Sequence, residues 1–246
     1  MRPGRHRRYH ALLQREGRAM KGLLYKDLSL IVSGYKLNFL YLLVFYGLIT
    51  ALTHLTFLSY ALIFVVGMYA STTTAMDENS HWDAYARTLP VKPGQIVAVK
   101  YLLTLFFIAI GVVLASLMTL LIPGEAAPTP GEVALGLAAA SMVTVFYYSL
   151  TIPLSYKFGS AKARSWVMIA LFAVIFIPMA IWMALPDSVQ DQFSNSLEGA
   201  GNAALSGGLS EMQVSLLASL GMVLLALVFL AVSWAITTRI YTTKKF

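Results

Sequence analysis

The chain has 246 residues, of which 58% are hydrophobic and only 12% are charged, and its formal net charge is +7. A soluble protein with this composition and six long apolar runs would have too little polar surface to face water, whereas polytopic membrane proteins are built this way. The absence of cysteine excludes a disulfide framework, a thiolate metal site and a cysteine nucleophile. The basic residues flank apolar stretches, which favours a membrane protein over a nucleic-acid-binding one.

The distribution of positive charge predicts the topology. All 18 Lys and Arg residues fall within residues 2–36, 87–100, 157–164 and 239–245. The segments that alternate with them contain acids and no bases. Because cytoplasmic loops are enriched in Lys and Arg, six spans with both termini in the cytoplasm are expected, in the cell membrane. Attraction of the basic segments to anionic inner-leaflet lipid is an expected secondary effect.

The predicted elements follow one another as an all-α membrane protein. Residues 1–19 are a basic extension that is expected to be poorly ordered, and residues 20–246 form the membrane domain. Apolar residues at helical spacing predict an amphipathic elbow helix over residues 20–34, lying in the inner interface. A short coupling helix is expected over residues 77–90 and a long outer loop over 186–208. The six predicted spans are residues 37–52, 58–75, 97–122, 133–154, 166–185 and 214–236.

Local signals support several of these limits. Capping boxes at residues 129–132 and 210–213 predict the starts of spans four and six. Pro178 lies inside span five and predicts a kink there. Apolar residues on one face of the outer loop predict a short interfacial helix within it.

The chain carries no motif for catalysis. It has no P-loop, no metal-binding motif and no cluster of His, Asp and Glu in sequence, so we expect no enzyme activity and no cofactor in this chain. The membrane core is expected to carry no ionisable side chain. Lys100, at the start of span three, is assigned to the basic segment 87–100. Secondary transporters usually need such side chains, which makes that function less favoured. A non-transporting membrane scaffold or sensor stays open, and an intramembrane enzyme lacks a catalytic set.

The segment between spans two and three has the strongest pattern of the loops. Ser80 can cap a short helix, with Asp83 in its first turn. Trp82 and Tyr85 would share one face of that helix. A short helix with exposed aromatic and charged residues suits docking on a cytoplasmic partner. The alternative is that the two aromatics are ordinary interface-belt residues.

A polar stripe runs along span four. It consists of Ser141, Thr144, Tyr148, Thr151 and Ser155, spaced three, four, three and four residues apart. Polar side chains inside a bilayer need partners or water, so the stripe is predicted to line a translocation path. Hydrogen-bonding between helices is the alternative explanation.

Six segments, in this order, resemble the type-2 ABC exporter permeases. The resemblance is to the small six-span permeases of peptide and antibiotic exporters, such as those that export phenol-soluble modulins. It extends over residues 20–246 in topology. The segments that carry it are residues 20–28, 77–82, 88–91, 99–101, 152–159 and 162–164.

The resemblance implies partners and docking residues. Such permeases work with a second permease copy, identical or paralogous, and with cytoplasmic ATPase subunits that bind ATP and Mg. The coupling helix would sit in a groove of the ATPase, and residues 156–164 and the elbow helix would provide further contacts. The docking residues so implied are Tyr25, Asp27, Asp77, Glu78, Ser80, Trp82, Asp83, Tyr85, Arg87, Tyr156, Lys157, Lys162 and Arg164.

The expected substrate follows from the resemblance and from the uncharged spans. Amphipathic peptides, including antimicrobial peptides, and hydrophobic antibiotics fit a route without basic residues. The expected partners are therefore the ATPase, a second permease and membrane lipid, without nucleic acid.

Overall fold

The computed structural model describes residues 4–86, 88, 91–122, 127–206 and 210–243. Every regular element among them is a helix, so the all-α prediction is confirmed. The helices are α1 (Gly4–Thr53), α2 (Thr56–Asn79), α3 (Trp82–Ala86), α4 (Pro93–Thr119), α5 (Pro130–Phe158), α6 (Ser160–Ala184), α7 (Asp187–Ser206) and α8 (Glu211–Thr243).

Six of the described helices are long and apolar enough to cross a membrane. They are α1 from Met20 onward, α2, α4, α5, α6 and α8. This confirms the six predicted spans, and most of the helices extend beyond the predicted limits. A helix of 27 residues, such as α4, is about 40 Å long at 1.5 Å per residue, which exceeds a hydrocarbon core of about 30 Å. The side of the membrane that holds the termini stays a prediction.

In the described part of the chain, the segment predicted as an elbow helix is continuous with the first span. Helix α1 continues without a break from Gly4 to Thr53. No proline lies within it, and the hydroxyl of Ser33 donates to the carbonyl of Ser29 at 2.7 Å without interrupting the helix. Leu23 and Ile31, which were expected to face lipid in the interface, are buried against other helices. The amphipathic pattern therefore reflects packing within the protein.

The core lies between α2, α4 and α5. Helix α2 packs along α4, and α5 packs along both α8 and α6. Helix α1 covers one side of α2 and α4. Much of α1 and nearly all of α6 remain exposed on the outside of the chain. The fully buried apolar side chains include Leu62, Ile63, Val66, Val97 and Leu103.

Glycines allow two of these helix contacts to be close. A Cβ at Gly111 would lie 2.9 Å from the Cα of Ile63, so the backbones of α4 and α2 meet at this point. A Cβ at Gly67 would lie 3.0 Å from the ring of Tyr148 and 3.1 Å from the methyl carbon of Thr144. Small residues at helix contacts are characteristic of membrane proteins, where close packing rather than burial from water holds helices together.

A buried polar network joins α4, α5 and α8. The hydroxyl of Tyr101 lies 2.6 Å from the hydroxyl of Ser233 and 2.7 Å from that of Thr237. Ser233 also donates to the carbonyl of Ser149 at 2.6 Å. Each hydroxyl thus finds a partner without water, as an apolar environment requires.

Both predicted capping boxes are confirmed. Thr129 accepts from the backbone of Glu132, whose carboxylate accepts from the backbone of Thr129 at 2.8 Å. Ser210 and Gln213 make the same reciprocal pair at the start of α8. The short helix expected in the outer loop is the longer α7, which spans 20 residues.

Candidate functional site

The segment predicted as a coupling helix divides into two parts. Helix α2 continues through Asp77 and Glu78, and the short α3 follows after a turn in which His81 has a φ of 51°. The hydroxyl of Ser80 donates to the carbonyl of Met76 at 2.9 Å, so it closes α2. The proton of the Ser80 hydroxyl is therefore used at the end of α2, and the predicted cap of the next helix by the Ser80 oxygen stays a prediction.

Four charged side chains from three helices meet at the end of α2. Lys26 and Asp27 come from α1, Asp77 from α2 and Lys100 from α4; together they are called the inner ion cluster. Lys26 Nζ lies 2.5 Å from Asp77 and 3.1 Å from Asp27. Lys100 Nζ lies 2.5 Å from Asp77 and 2.7 Å from Asp27. Each carboxylate thus bridges both ammonium groups, and the cluster is neutral as a whole.

The inner ion cluster is largely shielded from solvent. The side chains of Lys100, Asp27 and Asp77 are 5%, 2% and 8% exposed, and that of Lys26 is 25% exposed. Lys100 also donates to the hydroxyl of Thr73 at 3.2 Å. Removing one member would leave an uncompensated buried charge, which is far more costly than losing a surface ion pair. The cluster therefore holds α1, α2 and α4 at a fixed register.

Helix α3 rests against this cluster through an aromatic ring. Lys26 Nζ lies 4.0 Å from the centroid of the Trp82 ring, a cation–π contact. The ring of Tyr85 lies beside that of Trp82, with centroids 5.1 Å apart. Ala86 is buried, whereas Tyr85 is 56% exposed. The predicted shared face of Trp82 and Tyr85 is therefore present, and Tyr85 is the part that an approaching partner could contact.

A second contact connects the end of α2 to the start of α6. The carboxylate of Glu78 accepts a hydrogen bond from the backbone N–H of Ser160 at 2.6 Å. Anions are stabilised at helix N-termini, where free N–H groups and the helix dipole meet. The preceding Gly159 has a φ of +88°, and a Cβ there would collide with the Glu78 carboxylate. The two segments predicted to dock, around residues 78–86 and 156–164, are therefore adjacent in space.

Of the remaining predicted docking residues, some are exposed and one is buried. Tyr25, Lys157, Lys162 and Arg164 are exposed and available to a partner. Tyr156 is buried and packs edge-on against Tyr241, with ring centroids 5.4 Å apart. Tyr156 therefore holds the end of α5 against α8 and does not itself face a partner. The buried Asp27 and Asp77 hold their own helices in the same way.

Two of the predicted docking residues cannot be placed in this way. Arg87 lies outside the described residues, and the side chain of Asp83 is not among those described. Their assignment to the docking surface stays a prediction.

The polar stripe of α5 faces the interior of the chain. Thr144 and Tyr148 are fully buried against Gly67 of α2, and Thr151 and Ser155 are also buried. The four Ser and Thr hydroxyls of the stripe each donate to the carbonyl four residues earlier in α5, at 2.6–2.8 Å. The stripe thus packs against a neighbouring helix while the hydrogen bonds of its Ser and Thr residues remain within α5. A translocation path along it stays a prediction.

An apolar groove of about 470 Å³ runs between α2 and α5, beside the polar stripe. Its lining includes Tyr60, Phe64 and Val143, and Thr144 borders it as one of few polar groups. The arrangement can accommodate an apolar group, but not a charged one.

Sequence reasoning did not identify the inner ion cluster. Its members are separated by 51 and 73 residues along the chain, so no local spacing connects them. One signal was present: Lys100 follows three apolar or small residues and precedes a long apolar run, inside the predicted span. An ionisable residue within a span is expected to have a partner, and Asp27 and Asp77 were among the acids predicted on the same side.

Comparison with known proteins gives the family. No curated protein and no solved structure matched the chain. The family described as ABC-2 family transporter protein matches residues 22–242. That range includes all six spans, the inner ion cluster and both predicted docking segments. The chain therefore belongs to the ABC-2 family of transporter proteins.

Proposed function

We propose that this chain is the permease subunit of an ATP-driven exporter that works with a second permease copy and cytoplasmic ATPase subunits. Family membership makes the chain a membrane component of an ABC transporter, whose ATP hydrolysis takes place in a partner subunit. The single observation that carries the proposed coupling is the contact of α3 with the inner ion cluster, through Lys26 and Trp82.

The geometry supports a route by which motion of α3 reaches the spans. The ATPase, with its bound ATP and Mg, would displace α3 as it closes. Trp82 would transmit that displacement to Lys26, and the ion pairs of the cluster would move α1, α2 and α4 together. Buried ion pairs resist separation because the charges attract strongly where water is excluded. Glu78 would carry the same motion to the start of α6 through Ser160.

The proposed substrate is amphipathic or hydrophobic: a peptide, including an antimicrobial peptide, or an antibiotic. It is supported by the apolar groove between α2 and α5 and by the apolar outer faces of the spans. The proposed location is the cell membrane, with both termini in the cytoplasm, which follows from the partition of basic residues.

The alternatives receive less support. A secondary transporter would need an ionisable site that can accept and release an ion. In the inner ion cluster each charge is already paired with two opposite charges. A non-transporting scaffold or sensor would not need a docking helix connected to several spans.

The coupling proposal is tested by the double substitution Trp82→Ala and Tyr85→Ala. The variant should reach the membrane in normal amounts but lose roughly tenfold or more of its ATP-dependent export, equivalent to about 1.4 kcal/mol of docking energy. Co-purification of the ATPase should fall in parallel.

The matched control changes two exposed residues outside the grooves, Leu52→Ala near the end of α1 with Leu120→Ala just after α4, and should retain ATPase binding and export. Intact ATPase binding and export in the Trp82 and Tyr85 variant would refute the coupling role of α3.

The substrate class is tested separately. Stimulation of ATP hydrolysis by the complex in lipid nanodiscs should occur with cationic amphipathic peptides or hydrophobic antibiotics. Stimulation by sugar-lipids alone would contradict the proposed substrate while leaving the coupling proposal intact.

A further inference from the structure

Lys36 lies farther along α1 than the inner ion cluster, towards the apolar part of the first span. Asp27 belongs to the inner ion cluster, and Lys36 follows it by nine residues, about 13 Å along the helix axis. At the same level Tyr35 and Phe39 both contact the ring of Tyr69, with centroids 5.8 Å apart in each case. Helix α1 therefore runs alongside α2 here and does not lie flat in the interface. The Lys36 ammonium is left well inside the level of the cluster.

This ammonium has no counter-charge within the described part of the chain. The Lys36 side chain is exposed and makes no hydrogen bond or ion pair with any described residue. A second copy of the chain would not supply one at that depth, since the sequence has no acid between residues 28 and 76. The acids of the other spans lie only at the helix ends, at Glu132 and Glu211. A lysine near the end of a span extends its ammonium towards the membrane interface, where an anionic lipid headgroup can pair with it.

An apolar groove of about 420 Å³ passes Lys36 and is lined along α1 from Leu28 to Phe39. It lies between α1, α2 and α4 and is lined by side chains that include Phe39, Phe107 and Ile110. Apart from Lys36 and the hydroxyls of two tyrosines, its lining is apolar. Such a groove suits a hydrocarbon chain.

A second, more polar groove of about 330 Å³ adjoins the first on the surface of α1. It is lined by Tyr25, Ser29, Ser33 and Lys36, together with two apolar residues shared with the first groove. The four polar residues recur four, four and three positions apart, so they lie on one face of the helix. Hydroxyl groups beside an ammonium are suited to a phosphate, which accepts hydrogen bonds and is anionic.

We propose that the two grooves together bind an acidic phospholipid, from the leaflet on the side of the inner ion cluster. Its acyl chain occupies the apolar groove, and its phosphate lies against the Lys36 ammonium and the hydroxyl of Ser29, because the hydroxyl of Ser33 already donates to the carbonyl of Ser29. The polar groove lies towards the inner ion cluster and the apolar groove extends away from it, which matches the orientation of a lipid in that leaflet. Basic pockets beside membrane helices are known to select anionic headgroups. This site does not depend on the export function.

Native mass spectrometry of the purified protein tests the headgroup contact. The probes are phosphatidylglycerol and phosphatidylcholine with the same acyl chains. The unmodified protein should retain phosphatidylglycerol preferentially, and Lys36→Gln should lower that retention by roughly tenfold, about the effect of one charge-assisted hydrogen bond. Lys21→Gln is the matched control, because it removes the same charge from the same helix outside both grooves, and it should bind as the unmodified protein does.

Fluorescence tests the acyl-chain groove. Phosphatidylglycerol brominated on its acyl chain should quench the tryptophan introduced by Phe39→Trp, relative to the same lipid added to the unmodified protein. Adding Lys36→Gln to that variant should remove the preference for the acidic lipid.

Four results would overturn the proposal. Equal retention of phosphatidylcholine would do so, as would an unchanged preference in Lys36→Gln. An equal loss in Lys21→Gln would show that only the overall charge of α1 matters. Displacement of the lipid by millimolar inorganic phosphate alone would replace the lipid site with a site for a free anion.

Discussion

The inner ion cluster and the polar stripe of α5 place polar side chains inside the same apolar protein, yet they are satisfied in opposite ways. In the cluster, every charge finds its main partner on another helix, so three helices are connected. In the stripe, each Ser and Thr hydroxyl donates to a carbonyl of its own helix. The regularly spaced Ser and Thr residues of the stripe therefore donate no hydrogen bond to another helix, whereas the four charged residues of the inner ion cluster connect three helices. Polar groups hold helices together only where their partners lie elsewhere.

The largest effect should come from breaking the cluster. Lys100→Met leaves two buried carboxylates with one ammonium, and we expect the protein to lose about 3–5 kcal/mol of stability, as for a broken buried ion pair. Thermal denaturation of the detergent-purified protein, followed by size-exclusion chromatography, measures this.

Neutralising the excess charge tests whether charge is the cause. Adding Asp27→Asn to Lys100→Met should restore a substantial part of the loss. A double variant that is no more stable than Lys100→Met would indicate that the methylene packing of Lys100, rather than its charge, matters.

The second largest loss of stability should come from overfilling the contact between α2 and the polar stripe. Gly67→Leu would force a side chain against Tyr148 and Thr144, and overpacking of this kind costs about 1–3 kcal/mol. The same assay should show a lower melting temperature, whereas Gly22→Leu, where a Cβ meets nothing within 4 Å, is the control. Equal effects of the two would contradict a close contact between α2 and α5.

A smaller effect is expected at the contact between α2 and α6. Glu78→Ala removes the carboxylate that caps Ser160, and loss of such a cap typically costs about 1 kcal/mol. We expect ATP-dependent export to fall more than abundance does, because the contact links two docking segments. Glu78→Gln keeps an acceptor and should be intermediate. Export that falls only as far as abundance would assign Glu78 a purely structural role.

The smallest change in stability should come from removing one hydroxyl of the stripe. Thr144→Val keeps the shape and removes a hydroxyl that is bonded within its own helix, so we expect a change in stability below about 0.5 kcal/mol. Export should be unchanged if the stripe serves packing. Normal abundance with lost export would instead place the translocation path along Thr144 and its neighbours.

The polar stripe could be predicted from the sequence better than the inner ion cluster could. The stripe could be predicted because its residues recur at helical spacing on one element. The direction in which the stripe faces could not be predicted, because an exposed face and a packed face of a helix have the same spacing. The contact of Gly67 with the stripe shows that this face is packed. The hydrogen bond from the Ser80 hydroxyl to the carbonyl of Met76 could not be predicted for a related reason, because it depends on where α2 ends.

By itself, the sequence determined that the protein is helical, that it has six spans and where four basic segments flank them. These properties depend on local apolar length, on charge composition and on capping boxes, which act within a few residues. Only the tertiary structure decided that α1 is continuous, that Lys26, Asp27, Asp77 and Lys100 meet, and that Lys36 borders two grooves. Such contacts depend on how helices pack against one another, because charges distant in sequence pair only after their helices have taken a common register.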